Sequence, residues 1–122
     1  MATGIVAEYN PFHNGHKYHI ENTKSKLDSD IITVMSPNFV QRGEPSVIDK
    51  FTRTKMALLN GVDVVIEMPT PYAVSSAELF ALAGVKLLEN TGIIKNISFG
   101  SEEGNINNLE KISAFLTNET SE

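Results

Sequence analysis

The stretch Gly4-Ile5-Val6-Ala7-Glu8-Tyr9-Asn10-Pro11-Phe12-His13-Asn14-Gly15-His16 decides how this chain is read. Gly4–Tyr9 is an apolar run of strand length, and Asn10-Pro11-Phe12 breaks it. His13-Asn14-Gly15-His16 then stands at the head of a helix that the pattern predicts over His16–Leu27. A strand turning into a helix N-terminus makes an anion site, because unpaired N–H groups and the positive dipole end point the same way. Gly15 carries no Cβ, so a phosphate can approach the backbone. Two imidazoles three residues apart can face one anion and donate hydrogen bonds to charge growing on it. The expectation is a nucleotide-binding crevice.

Working outward, Ile31–Met35, Val62–Glu67 and Ile97–Phe99 read as further strands. Helices are expected over Asp49–Asn60 and Ser75–Asn90, with a final one over Asn107–Leu116, where Leu109, Ile112 and Leu116 keep helical spacing. Gly61 and Gly92 sit where helices should stop. Ala77–Leu88 is apolar nearly all round, which predicts a well-buried helix. Strands alternating with helices imply right-handed crossovers and a parallel sheet covered on both faces. The fold expected is α/β, a Rossmann-like doubly wound parallel sheet in a single domain over residues 1–122.

In such a sheet the chain builds outward from strand one, then returns to set strand four on its other side. The His motif leaves the end of strand one, and Ser98-Phe99-Gly100-Ser101-Glu102 leaves the end of strand four. The two segments should face each other, with Gly100 offering a backbone N–H or close approach to a flat ring. Ser36–Ile48 leaves the end of strand two with thirteen residues of no clear periodicity, including Pro37, Gly43 and Pro45. Structureless loops of that length are uncommon and often functional.

Composition narrows the function. The formal charge of −5 argues against indiscriminate nucleic-acid binding. It is unevenly spread: residues 1–61 carry a net +1 and residues 62–122 a net −6. Arg42, Lys50, Arg53 and Lys55 fall close together, so a local phosphate-binding patch is compatible with an acidic chain. Zero cysteines exclude disulfides and thiolate metal sites and fit a cytoplasmic protein. No run is long enough to span a bilayer, and no signal peptide is visible.

Each of these residues also has a plainer reading. His13, His16 and His19 repeat every three residues, as zinc ligands do, but Gly15 would then have no purpose and a fourth ligand is wanting; no metal site is assigned. His19 lies one turn further on, where it can pack against the sheet or touch ligand. Glu8 and Glu67 end apolar runs and can be buried carboxylates satisfied by helix N-termini or functional groups. The basic cluster can be a solvated face. Asp49 reads as an N-cap with Arg53 as its ion-pair partner one turn on. Gly100 can be a plain turn residue.

With those residues in hand, a resemblance becomes specific. His-x-Gly-His on a Rossmann-like sheet is similar to the nucleotidylyltransferase superfamily. Glu8-Tyr9-Asn10-Pro11-Phe12-His13-Asn14-Gly15-His16, Asn38-Phe39-Val40-Gln41-Arg42-Gly43-Glu44-Pro45, Lys50-Phe51-Thr52-Arg53-Thr54-Lys55-Met56-Ala57-Leu58 and Phe99-Gly100-Ser101-Glu102 together resemble the bacterial tRNA(Met) cytidine acetate ligase family. The likeness runs from Gly4 to about Glu102.

That resemblance implies a two-step reaction. Acetate is activated by ATP to acetyl-adenylate, and the acetyl group passes to N4 of the wobble cytidine of elongator tRNA(Met). His13 and His16 are implied as the catalytic pair, with Mg2+ assisting. Val6, Ala7, Glu8, Tyr9, Asn10, Pro11, Phe12, His13, Asn14, Gly15, His16, Lys17, Tyr18, His19 and Gly100 are implied to bind ATP. Arg42, Lys50 and Arg53 would contact phosphate or tRNA. The expected partners are thus ATP, acetate and elongator tRNA(Met), with neither DNA nor membrane. Other expectations from the residues are a different small-molecule nucleotidyltransferase, or a module that binds ATP without turnover. Two departures stand out: Pro37 replaces a glycine usual in the family, and the superfamily's second phosphate-binding signature is not found. Family members are also longer than 122 residues, so the chain reads as an N-terminal portion.

Overall fold

β1 (Ala2–Ala7) is buried along its whole length, as a strand with neighbours on both edges and helices on both faces must be. The computed structural model describes residues 2–98. β1 pairs in parallel with β2 (Asp30–Met35), from Ala2 opposite Asp30 to Ala7 opposite Met35. β2 pairs in parallel with β3 (Val64–Glu67), and β1 with β4 (Ile94–Ile97). The sheet order is β3-β2-β1-β4, the doubly wound reversal expected from the sequence.

Alternation along β1 and β2 divides the core into two layers. Ile5, Ala7, Ile31 and Met35 face α1 (Asn14–Leu27) and α2 (Lys50–Leu59), meeting Ile20 and Ala57. Ala2, Val6, Ile32 and Val34 face α3 (Thr70–Ala73) and α4 (Ala77–Asn90), meeting Ala73, Phe80, Val85 and Leu88. α4 lies very close to the sheet. A Cβ built on Gly84 would stand 2.6 Å from both Val6 methyls, and one on Gly4 would stand 2.6 Å from a Leu88 methyl. Two missing side chains therefore set how near this helix approaches β1.

Two expectations change. β4 begins at Ile94 because Lys95 and Asn96 are exposed on an edge strand, so the apolar run marks only its end. α4 is buried on one side only: Leu79 remains 49 % exposed, and Leu82, Ala83 and Leu87 help line an apolar groove of about 300 Å³ with Pro69 and Tyr72. A helix covering one face of a four-stranded sheet has nothing on its outer side among the described residues. Gly61 and Gly92 do follow helix ends, at φ +111° and +75°. Among the described residues no helix is long and apolar enough to cross a membrane. The helix expected over Asn107–Leu116 lies outside the described residues.

Candidate functional site

The chain leaves β1 through Tyr9, a non-glycine residue at φ +51°. Its ring is 2 % exposed, its hydroxyl is 3.3 Å from Thr33 Oγ1, and it meets Phe12 and His16 edge-on at 4.9 Å each. The surrounding packing holds a backbone conformation that an isolated tyrosine disfavours. The turn thus aims the following residues across the carboxyl end of the sheet.

His13 caps α1. Its Nδ1 accepts from the Gly15 N–H at 3.0 Å, while His16 Nδ1 accepts from the His13 N–H at 3.1 Å. This is a reciprocal capping box with imidazoles in place of the usual hydroxyl and carboxylate. The two rings stack at 3.7 Å and 25°. Since both Nδ1 atoms accept, each neutral ring carries its hydrogen on Nε2. The His16 N–H also bonds His13 O at 3.0 Å. The sequence predicts unpaired helix N–H groups for the anion, but His13 itself occupies two of them. The two Nε2–H edges lie on the far side of the rings from these bonds, at the positive end of the helix dipole.

The glycine has a second purpose as well. A Cβ on Gly15 would meet His13 Cε1 at 2.8 Å and Nδ1 at 3.0 Å, so its absence makes room for the capping ring.

One turn on, His19 faces the end of β4. Its Nε2 lies 2.8 Å from Ser98 Oγ, which is 3.0 Å from Thr23 Oγ1. The Ser98 N–H bonds Gly4 O. Burial pulls the His19 pKa below its ordinary value, favouring the neutral ring. Through these bonds His19 joins α1 to the exit of β4 at the switch point. Phe99, Gly100, Ser101 and Glu102 lie outside the described residues.

The long segment after β2 is a folded hairpin. Phe39 bridges Pro45, Val40 bonds Glu44, and Ser46 bonds Asn38 around a 3-10 turn at Gln41–Gly43. Side chains moor it. The Glu8 carboxylate accepts from the Gln41 N–H at 3.0 Å, Asn10 Oδ1 from Val47 at 2.7 Å, and Asn38 Oδ1 from Lys50 at 2.9 Å. Glu8 thus holds a short turn in place. Arg42 stands exposed at the tip with φ +70°.

Arg53 corrects one expectation. It is fully buried: Nε donates to Ile48 O at 2.8 Å, Nη1 to Glu8 O at 2.8 Å and Ser36 O at 3.0 Å, and Nη2 to Pro37 O. Burial lowers its pKa, while the charges of Asp49 and Glu8 oppose that effect. All three guanidinium nitrogens donate to main-chain carbonyls, so Arg53 does not form the predicted ion pair with Asp49, and any phosphate or tRNA would have to compete with these bonds. Asp49 does cap α2 through the Thr52 N–H and hydroxyl, which hold its carboxyl below the usual range. The signal for Arg53 was present, because it shares a helix face with core residue Ala57 four positions on. Pro37 is buried within this arrangement, its carbonyl in use and its missing N–H not needed by the hairpin.

Lys50 Nζ pairs with both oxygens of Glu67, at 2.9 and 3.0 Å. Glu67 is exposed, which sets aside the buried-carboxylate reading for it. Of the other implied ATP-binding residues, Val6 and Ala7 put their side chains into the two core layers, leaving main chain for any ligand. Pro11, Asn14, Lys17 and Tyr18 are exposed around the histidine pair. Among the described residues no group of three or more His, Asp or Glu side chains could hold a metal ion. The α3–α4 groove shares no residue with this site.

A family model described as HIGH Nucleotidyl Transferase matches residues 1–122. The chain belongs to the HIGH nucleotidyl transferase family. Among its relatives, the tRNA(Met) cytidine acetate ligase of Clostridium kluyveri is 57 % identical over 121 residues, covering 98 % of this chain and 30 % of that protein. The enzyme of the same name from Fervidobacterium nodosum is 52 % identical over 120 residues, 98 % of this chain and 28 % of its own length. A crystal structure of Thermotoga maritima TmcAL bound with alpha-thio ATP superposes with a TM-score of 0.76 at 48 % identity, covering 79 % of this chain and 23 % of that one. The HIGH nucleotidyl transferase chain therefore spans about 30 % of the length of these curated relatives.

Proposed function

We propose that this HIGH nucleotidyl transferase chain supplies the ATP-binding part of a ligase that activates acetate and acetylates N4 of the wobble cytidine of elongator tRNA(Met). The reading is supported most by the histidine pair, two stacked imidazoles with Nε2–H edges at a helix N-terminus beside the β1–β4 switch point. The alpha-thio ATP bound by the T. maritima relative supports it too.

In the first step an acetate oxygen bonds to the α-phosphorus of ATP, and the bond from that phosphorus to the bridging oxygen breaks, releasing pyrophosphate. His13 and His16 donate from Nε2 to phosphate oxygens as negative charge accumulates, and the α1 dipole adds to the same field. Fixed donors in a crevice are worth more than water because they need no reorganisation; loss of one such donor costs about 10²–10³ in rate. In the second step the cytidine N4 amine attacks the acetyl carbon, AMP leaves, and the amine loses a proton. Main chain of Val6–Tyr9 and the segment Asn10–His19, with Gly100, would line the ATP site. Arg42 and Lys50 are the proposed phosphate or tRNA contacts. The described residues offer no ligand cluster for Mg2+, and magnesium would accompany the triphosphate.

Acetate-dependent ATP–pyrophosphate exchange tests the reading. His16→Ala should lower exchange by about 10²-fold or more with the fold intact. Undiminished exchange would remove His16 from the mechanism. Exchange that runs only with another acceptor would indicate a different nucleotidyltransferase, and saturable ATP binding without exchange would indicate a non-catalytic module.

A further inference from the structure

The hairpin and the start of α2 present large aromatic side chains to solvent at the same end of the sheet as the histidine pair. Phe39 is 47 % exposed and Phe51 75 % exposed, although both elements have a core to bury such rings in. The alternation is clear: Val40 points inward at 4 % exposure, and Phe39 points outward beside Pro45. Isolated exposed apolar residues are ordinary, but here two exposed aromatic rings stand on elements moored to each other. Asn38 Oδ1 bonds the Lys50 N–H, so the residues next to Phe39 and Phe51 are joined directly. Asn10 Oδ1 bonds Val47, which ties the hairpin to the turn leading into His13. Arg42, at the hairpin tip, makes no hydrogen bond or ion pair among the described residues. Lys50 Nζ lies 5.4 Å from the Phe51 ring centroid.

We propose that Phe39 and Phe51, with Arg42 between them in sequence, form a base-stacking platform that receives unpaired nucleotides of an RNA loop next to the His13–His16 site. Exposed rings on a rigid support stack on nucleobases with little ordering cost, and a guanidinium beside them takes the adjoining phosphate. Paired RNA hides its base faces, so this surface selects single-stranded loops. The charge agrees: Arg42 and Lys50 stand on the same two elements as the rings, on a chain of −5 overall. The inference rests on the tRNA reading proposed above and assigns it a surface.

The test uses the protein at its natural full length and two fluorescent RNAs, a hairpin with an unpaired seven-nucleotide loop and a fully paired duplex of equal length. Phe39→Ala and Phe51→Ala, each checked for unchanged melting temperature, should weaken binding of the loop RNA about ten-fold and leave the duplex unaffected. Phe39→Tyr should restore it. Acetate-dependent pyrophosphate exchange, which involves no RNA, should stay at the wild-type rate. Unaltered loop affinity in both alanine variants overturns the platform. A loss of exchange in step with RNA binding overturns it as well, by placing the rings in the activation step. A change in self-association in place of RNA affinity shows a protein interface and refutes it. Absence of exchange in the wild type would sink the acetate reading alone, because the RNA-binding comparison stands without it.

Discussion

Replacing Arg53 tests the central structural claim about the crevice. Its guanidinium joins four carbonyls, Glu8 at the end of β1, Ser36 and Pro37 at the end of β2, and Ile48 at the foot of the hairpin. In Arg53→Met the two carbonyls of the fully buried Ser36 and buried Pro37 lose their donor with no water to replace it, at about 1–3 kcal/mol each. The Glu8 and Ile48 carbonyls are half-buried and recover part of their hydration. Removing a buried charge returns some desolvation energy, so the net loss should be about 3–5 kcal/mol, the usual cost of breaking a buried charged network. For a domain of this size that is a fall in Tm of about 12–20 °C. Thermal unfolding by calorimetry, paired with urea titration at constant m, reads it. Arg53→Lys keeps the charge but lacks the planar fork, and should recover less than half the loss. A Tm within about 3 °C of wild type for Arg53→Met would refute the fastening role. Full rescue by lysine would show that charge alone matters.

The packing of α4 makes a second prediction: Gly84→Ala places a methyl 2.6 Å from two carbons of a stiff β-branched side chain, and should cost about 1–2 kcal/mol net of the helix propensity gained. Val6→Ala in the same chain should return part of that loss in a double-mutant cycle, and strict additivity would reject the contact. His19 supplies a pH dependence. Its folded pKa lies below the ordinary 6.5, so in the window just beneath that value the unfolded chain binds a proton that the native chain refuses. Stability should fall as pH drops through this window, less steeply in His19→Gln, and parallel pH–Tm curves for the two proteins would contradict it. Ser36 Oγ is buried with no hydrogen-bond partner among the described residues, so Ser36→Ala should leave Tm equal or higher; a drop of several degrees would reveal a partner.

Where the sequence was legible, strong periodic signals coincided with tertiary demand. Gly4–Tyr9 and Ile31–Met35 are buried on both faces, so continuous apolar runs mark central strands, and the alternation with helices dictated their order. β4 was half legible, because an edge strand tolerates Lys95 and Asn96. α4 misled, because composition reports what a helix can bury and not what covers it. Within the site, the histidines declared themselves through spacing. Their hydrogen bonds did not: histidine is an unusual cap, and only the ring geometry shows that Nδ1 faces the backbone. Arg53 was read by its charge when its position on the Ala57 face of α2 was the better guide.

The capping box also bears on the direction in which protons would move in the proposed reaction. A ring whose Nδ1 lone pair is engaged by the backbone and whose Nε2 carries hydrogen has a proton to share and no lone pair with which to take one. In the proposed reaction His13 and His16, held in that state, serve as donors and not as bases. An alcohol or amine attacking phosphorus here would need some other group to deprotonate it. A carboxylic acid, with a pKa of about 4, arrives at neutral pH already ionised and asks for nothing of the kind. A cap that looks like a detail of helix termination thereby favours nucleophiles that bring their own negative charge.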